Sequence, residues 1–430
     1  MQKSLSQAVI SCLVENQQAQ PPEEIFLRLS QTRIDFALII AQRLIQANSK
    51  QVDGKRFLLE VWKTIISLRD KFDRPLPIGD VPYYRSLLKI LFLAVRFNAE
   101  SSSDSKKESL NASTRMTESS SIVPTIIDIL KNVVAIGLRE LVATIHESPD
   151  LSAPEDLALI TGILQSCLRI PSISLHHPQI VSIMLANSTA HIACALFSWS
   201  DKVAIAGDPI YGELSILFLL ELSSMEPMAE QLAINGILGH IASADITSHL
   251  RRPGVSPFSD SAGLQRCYSI WARGILPLLL NLLDAVQASI TSEVALFLLQ
   301  FQNLLKQAEQ AFDAPETNRI IPKGQTKYIT LINCSEVHSL ALLHYILSTY
   351  RAEGKTDIPD VKWDAAGVLE NVEFWLGSKA LLRERILPMG EREAEWVKSK
   401  PVGQTVSRLE EKIVNELLGI RDVLSGGGGA

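Results

Sequence analysis

The chain has 430 residues, more than one compact hydrophobic core usually holds, so it reads as several domains or as one elongated array. With 47% hydrophobic and 20% charged residues it is foldable and not disordered overall. A balance of 41 basic against 47 acidic residues, formal net charge -6, offers no electrostatic footprint for nucleic acid.

The first residues, "MQKSLSQAVISCLVENQQ", lack a signal-peptide pattern, because the apolar stretch is short and runs into Glu15. Glu23–Glu24 after Pro21–Pro22 reads as a helix start. "TRIDFALIIAQRLIQA" then places Ile34, Leu38, Ala41 and Ile45 on one helical stripe. "GKRFLLEVWKTIISLRDKF" does the same with Leu58, Val61, Trp62, Ile65 and Leu68. The stretch Ser101–Ser121 holds nine serines and only Leu110 and Met116 as large apolar residues, so it reads as a disordered loop. Its functional alternative is a phosphorylated docking loop. Pro154, followed by Glu155 and Asp156, predicts a helix first turn, and Pro178 predicts another.

Residues Ile170–Ser200 carry no Asp, Glu, Lys or Arg. Gln179–Trp199 is long enough to span a bilayer, but Gln179, Asn187, Ser188, Thr189 and His191 would each need a partner in hydrocarbon. The preferred reading is a buried inner helix. "GDPIYG" suggests Asp208 as an N-cap with Pro209 at the first helical position. "SHLRRP" (Ser248–Pro253) and "LLRERI" (Leu381–Ile386) read as ordinary surface charge.

"SIWARGILPLLLNLLDAV" (Ser269–Val286) is too short in its uncharged core to cross a membrane, since Arg273 and Asp284 bracket it. Leu276–Val286 reads as a buried inner helix with Pro277 in its first turns, and Gly274 as a point of close approach or bend just before it. Glu293–Phe312 is the expected antiparallel partner. Lys327–Asn333, "KYITLIN", is ambiguous between strand and helix and is read as helix. The last segment sets Val406, Leu409, Ile413, Leu417, Ile420 and Leu424 on one face. Arg408, Glu410, Glu411, Lys412, Glu416 and Asp422 form the other, solvated face. Ser425–Ala430 reads as a flexible tail.

About seventeen helices result, so a helix pair takes roughly 48 residues, near the 40 to 47 of HEAT and armadillo units. The predicted fold is all-α: an irregular HEAT/armadillo-like helical solenoid, a single array over residues 1–430. An irregular helical globule fits the period almost as well.

Motifs for chemistry are absent. There is no phosphate-binding glycine loop, no HExxH, no GxSxG and no DDxxD. His191 and Cys194 share a helical face, but no second pair with ligand spacing accompanies them, so core packing is the better reading. Adjacent His176–His177 belong to the turn before Pro178, and His338 and His344 do not share a face. Cys12, Cys167, Cys194, Cys267 and Cys334 are odd in number and widely spaced, as expected for buried thiols in a reducing compartment. The six tryptophans read as packing anchors between helices, a few of which could line a groove. No catalytic, cofactor-binding or metal-ligating residue is assigned, and the partner-binding surface is left open.

Ser269–Val286 with Glu293–Phe312 resembles the C-terminal part of the large scaffold nucleoporins of the nuclear pore inner ring, which include two fungal paralogues. The order of a charge-free helix, "GDPIYGELSILFLLELSSM" and "PMAEQLAINGILGHI" is also similar, most densely from Gln179 to Asp313. The resemblance implies stacked, karyopherin-like helical repeats and a structural role without catalysis or cofactor. It implies residence in the nuclear pore complex at the nuclear envelope and support of nucleocytoplasmic and mRNA transport. The implied partners are other inner-ring nucleoporins, among them a coiled-coil linker nucleoporin, pore membrane proteins, and Phe-Gly repeats. It also implies that the chain is a C-terminal fragment of a longer protein. The competing readings are a soluble karyopherin-like transport receptor or adaptor and, behind it, an all-α enzyme.

Overall fold

The computed structural model describes residues 2–18, 24–46, 53–72, 81, 83–104, 122–149, 153–313, 328–354, 357–399 and 406–426. The fold is all-α, of the helical-solenoid class. Among the described residues the only strand-like pairings are isolated bridges, Ile205 with Asp208 and Ile329 with Ile386. The chain forms two compact units, Met1–Ala193 and Cys194–Ala430.

The first unit contains α1 (Gln2–Gln18), α2 (Glu24–Gln46), α3 (Gly54–Phe72), α4 (Tyr84–Asp104), α5 (residues 123–147), α6 (Pro154–Leu168) and α7 (Pro171–Ala186). Helix α1 packs on α2 and α3, α4 on α2, α3 and α6, and α5 on α3, α6 and α7. The stripe expected in α3 is buried: Leu58, Val61, Trp62, Ile65 and Leu68 all face inward. In α2 the buried face runs instead through Ser30, Ile34, Ala37, Ala41 and Leu44, with Leu38 and Ile45 at its margins. Pro154 opens α6 as expected, and Asp156 in its first turn accepts two bonds from Arg85, at 2.6 and 2.9 Å. Helix α4 continues through Ser101–Asp104, four residues into the serine-rich stretch. Residues 105–121 of that stretch, and 427–430 of the tail, lie outside the described residues.

Helix α8 (Thr189–Trp199) follows α7 after a turn in which Ser188 takes φ 53°. The charge-free segment is therefore two helices, not one span. Nor is α7 an inner helix buried all round: Ile173, Ile180, Val181 and Met184 face the core, while Leu175 and Leu185 are exposed. An uncharged sequence identified low polarity but not how much of the helix its neighbours cover. Pro178 lies in the first α-helical turn of α7, as expected.

The second unit continues with α9 (Ile210–Ser223), α10 (Glu226–Ile234), α11 (Ile237–Ser243), α12 (Asp245–Leu250), α13 (Ala262–Ser289), α14 (residues 291–309), α15 (Leu331–Ala352), α16 (Ala365–Gly377), α17 (Lys379–Arg385), α18 (Glu391–Lys398) and α19 (Arg408–Leu424). Among the described residues α1 to α19 are more helices than the expected seventeen or so, because α11, α12, α17 and α18 are too short to show a period. Helix α13 is the hub, packing on α9, α10, α12 and α15. Leu276, Leu278, Leu279, Leu282 and Leu283 are buried, as the inner-helix reading requires. By length and composition α13 is apolar enough to cross a bilayer, contrary to the reading of Ser269–Val286, because the helix begins upstream at Ala262. Its apolar side chains are spent on these helix contacts.

Pro277 lies at the start of only the second α-bonded stretch of α13; the helix is continuous from the first, Ala262–Ser269, through a π-turn at Ile270–Ile275. Wider i→i+5 bonding there makes room for a ring that lacks an N–H and would crowd the preceding turn. Gly274 sits in that π-turn: a Cβ on it would lie 2.5 Å from Ile216 Cγ2 of α9. Close approach is thus its role.

Helix α14 is not chiefly the partner of α13. Gln287 takes φ 54° where α13 ends in a 3-10 turn, and α14 packs mainly on α11, α15 and α16. It touches α13 through Trp271 against Phe301, ring centroids 5.0 Å apart. "KYITLIN" is split by structure: Ile329 N–H donates to Arg385 and its carbonyl accepts from Leu387, while Thr330 caps α15 by accepting from Asn333 N–H at 3.2 Å. Only Leu331–Asn333 is helical, and Lys327 lies outside the described residues.

Candidate interaction surfaces

Among the described residues no group of three or more His, Cys, Asp or Glu could hold a metal ion. His191 is exposed and Cys194 half-buried, so the pair on α8 forms no ligand set. Cys167, Cys267 and Cys334 are buried, Cys12 and Cys194 only half-buried, and all five are free thiols. Burial pushes their thiols up, Cys267 to about 11, which keeps them protonated and unreactive. Trp62, Trp271, Trp363 and Trp375 are buried packing anchors, as expected; Trp199 and Trp396 keep partial exposure.

Two surfaces of the first unit are open. A groove of about 920 Å³ lies along α5 and α7. Apolar Trp62, Val123, Ile127 and Ile183 line it together with the polar side chains of Lys131, His176 and Gln179. The Asp128 carboxylate within it is already engaged: Trp62 Nε1–H donates to it at 3.0 Å and Asn132 Nδ2 at 2.7 Å. Arg69 donates to Asn132 in turn, at 3.3 Å, so the wall is fixed by a polar chain crossing from α3 to α5. The second surface is on α2, where Ile25, Leu29, Phe36 and Ile39 are 45% to 75% exposed. With Thr32 between them they follow alternating steps of four and three, the spacing of a seam for another helix.

The second unit is held by buried and half-buried polar joints that its sequence did not reveal. Asp208 is not an N-cap: Pro209 occupies the cap position of α9, and Asp208 accepts two bonds from Arg266, both 2.9 Å. The bidentate pair outweighs a single capping bond. Arg266 and Ser269 also donate to the buried Glu213. Glu336, 1% exposed, accepts from Tyr268 and from Trp271 Nε1–H, the latter at 2.8 Å. Burial pushes its carboxyl up to about 7 against the opposing pull of those two hydrogen bonds. Glu410 is not on a solvated face either: it is buried, and Arg383 of the "LLRERI" stretch donates to it at 2.7 Å. The apolar face of α19 is as read, with Leu409, Ile413, Leu417 and Ile420 buried, while Val406 lies before the helix.

Comparison with known proteins agrees with this architecture. Residues 57–424 match the family described as the nuclear pore protein NUP188 C-terminal domain. The nucleoporin NUP188 of Chaetomium thermophilum is 41% identical over 99% of this chain, and nucleoporin nup184 of Schizosaccharomyces pombe is 25% identical over 69%. The chain spans 24% of the length of the first and 17% of the second. A solved Nup188 fragment from Myceliophthora thermophila superposes with a TM-score of 0.73 at 43% identity, covering 85% of this chain and 98% of the fragment. The likeness thus falls on nucleoporin NUP188, and this chain belongs to the family of the nuclear pore protein NUP188 C-terminal domain.

Proposed function

We propose that the chain is a structural component of the nuclear pore complex at the nuclear envelope, a helical-repeat surface on which other nucleoporins assemble and which thereby supports nucleocytoplasmic transport. The observation that carries this reading is the family match from residue 57 to residue 424 over an all-helical chain. A scaffold of this kind acts by presenting grooves and seams rather than by chemistry. The α2 seam suits a partner helix, such as one from a coiled-coil linker nucleoporin. The α5–α7 groove suits phenylalanine side chains, and Phe-Gly repeats are the weaker class of partner assigned to it. Attachment to pore membrane proteins, direct or through other nucleoporins, completes the proposal.

The test is affinity capture from nuclear-envelope extract on the purified chain, with the retained proteins identified by mass spectrometry. Inner-ring nucleoporins retained through moderate salt support the scaffold. The double variant Phe36→Asp, Ile39→Asp changes only exposed side chains, and it should lose helix-bearing partners while its melting temperature holds. Recovery of soluble cargo and Ran without pore components would instead establish a transport receptor.

A further inference from the structure

Trp396 of α18 is surrounded by positive charge. Arg392 and Lys412 each lie 5.0 Å from its ring centroid and Arg408 lies 5.5 Å away. Three cations on one indole are therefore within about twice that distance of each other, close enough to repel, and the ring quadrupole offsets only part of this. Among the described residues none of the three has a carboxylate partner. Elsewhere in the same unit Arg266, Arg351, Arg383 and Arg421 each reach one. The arrangement is held by the main chain: Arg408 N–H donates to the Ser399 carbonyl at 3.1 Å, tying the end of α18 to the start of α19. Of the acidic residues beside the cluster in sequence, Glu393 is turned inward, where it accepts from Met389 N–H at 2.7 Å and faces Arg273 at 3.7 Å.

We propose that this platform binds an acidic peptide segment of a partner protein. Cations held around an aromatic face and engaged in no ion pair among the described residues are placed to receive carboxylates, with the planar guanidinium groups giving bidentate recognition. The charge pattern favours a narrow ligand. Glu391, Glu395 and Glu411 flank the platform on α18 and α19. They would repel a broad anionic sheet such as a lipid surface, which is ordinarily met by a larger cluster of four to eight basic residues, roughly. The inference stands apart from the nuclear-pore reading, since it rests only on these side chains.

The experiment is fluorescence anisotropy with the whole chain and a short labelled glutamate-rich peptide, beside its glutamine counterpart. The glutamate peptide should bind about tenfold or more tightly than the glutamine one, and rising salt should weaken it. Charge reversal in the double variant Arg392→Glu, Lys412→Glu should cost about tenfold or more in affinity, while Trp396→Phe, which keeps an aromatic face, should cost less. Circular dichroism melts check that each variant folds; if the double variant does not, Arg392→Gln alone carries the comparison. Equal affinity for the two peptides, or unchanged binding by the charge variants, overturns the proposal. So does capture by phosphatidylserine vesicles without binding of the peptide.

Discussion

Glu336 keeps its carboxyl group where water does not reach, bonded to two neutral donors and to no cation. Its proton affinity in the folded chain is therefore higher than in the unfolded chain, about 7 against an ordinary 4.5. Between these values the native state holds a proton that the unfolded state has released. Stability must fall as pH rises through that window and level off above it. The difference amounts to roughly 3 kcal/mol if the full shift is realised. Urea titrations across pH 4 to 8, roughly the range that brackets both values, should show this term in the native chain and its absence in Glu336→Gln, whose neutral amide has nothing to titrate. Parallel pH profiles for the two chains would show that the Glu336 carboxyl titrates alike in the folded and the unfolded chain. Gly274 makes a steric prediction of the same kind. Gly274→Ala puts a methyl against Ile216 and should cost about 1–3 kcal/mol despite the better helix propensity of alanine. Adding Ile216→Val should recover part of that loss in the melting temperature; a stabilised single variant would mean that α9 and α13 separate without strain.

At the scale of the helix, α13 joins apolar packing along Leu276–Leu283 to polar joints along Arg266–Trp271. Removing the guanidinium with Arg266→Ala leaves half-buried Asp208 without its bidentate partner and Glu213 buried with only Ser269 as a hydrogen-bond donor. The expected loss is about 3 kcal/mol, well beyond an exposed ion pair. Thermal melts of Arg266→Ala beside Arg421→Ala, whose pair with Asp422 is exposed, would separate the two cases. This contrast also explains how far the sequence could be read. The stripe in α3 and the face of α19 were legible because burial follows the helical period within one segment. The Leu276–Val286 helix was legible from its leucines. The joint of Asp208 with Arg266 spans 58 positions, and nothing local distinguishes an aspartate before a proline that caps a helix from one that reaches across to another. Glu410 was hidden for the same reason, since its partner Arg383 lies 27 positions earlier. The groove, the α2 seam and the Trp396 platform depend on which helix faces neighbours leave uncovered, and periodicity does not report that.

Over the whole molecule, each of the two units encloses its own core. Leu58, Ile65, Leu87, Ile126 and Ile160 are fully buried in the first, and Phe218, Trp271, Leu279, Val337 and Leu417 in the second, all at 0–1% exposure. Helical-repeat chains gain stability mainly from neighbouring elements, so a defect in one core need not be felt in the other. Leu279→Asp is the sharpest probe, because it sets a carboxylate at a fully buried position in the hub helix of the second unit. Such a group costs several kcal/mol, about as much as a typical domain has in reserve. The variant should lose the share of its calorimetric enthalpy that belongs to the second unit and melt the remainder at the native temperature. Limited proteolysis should then leave a resistant fragment that ends near residue 193, where the first unit closes. Loss of the whole transition at once would mean that the two cores fold as one cooperative block, and an unchanged melt would mean that position 279 is not packed at all.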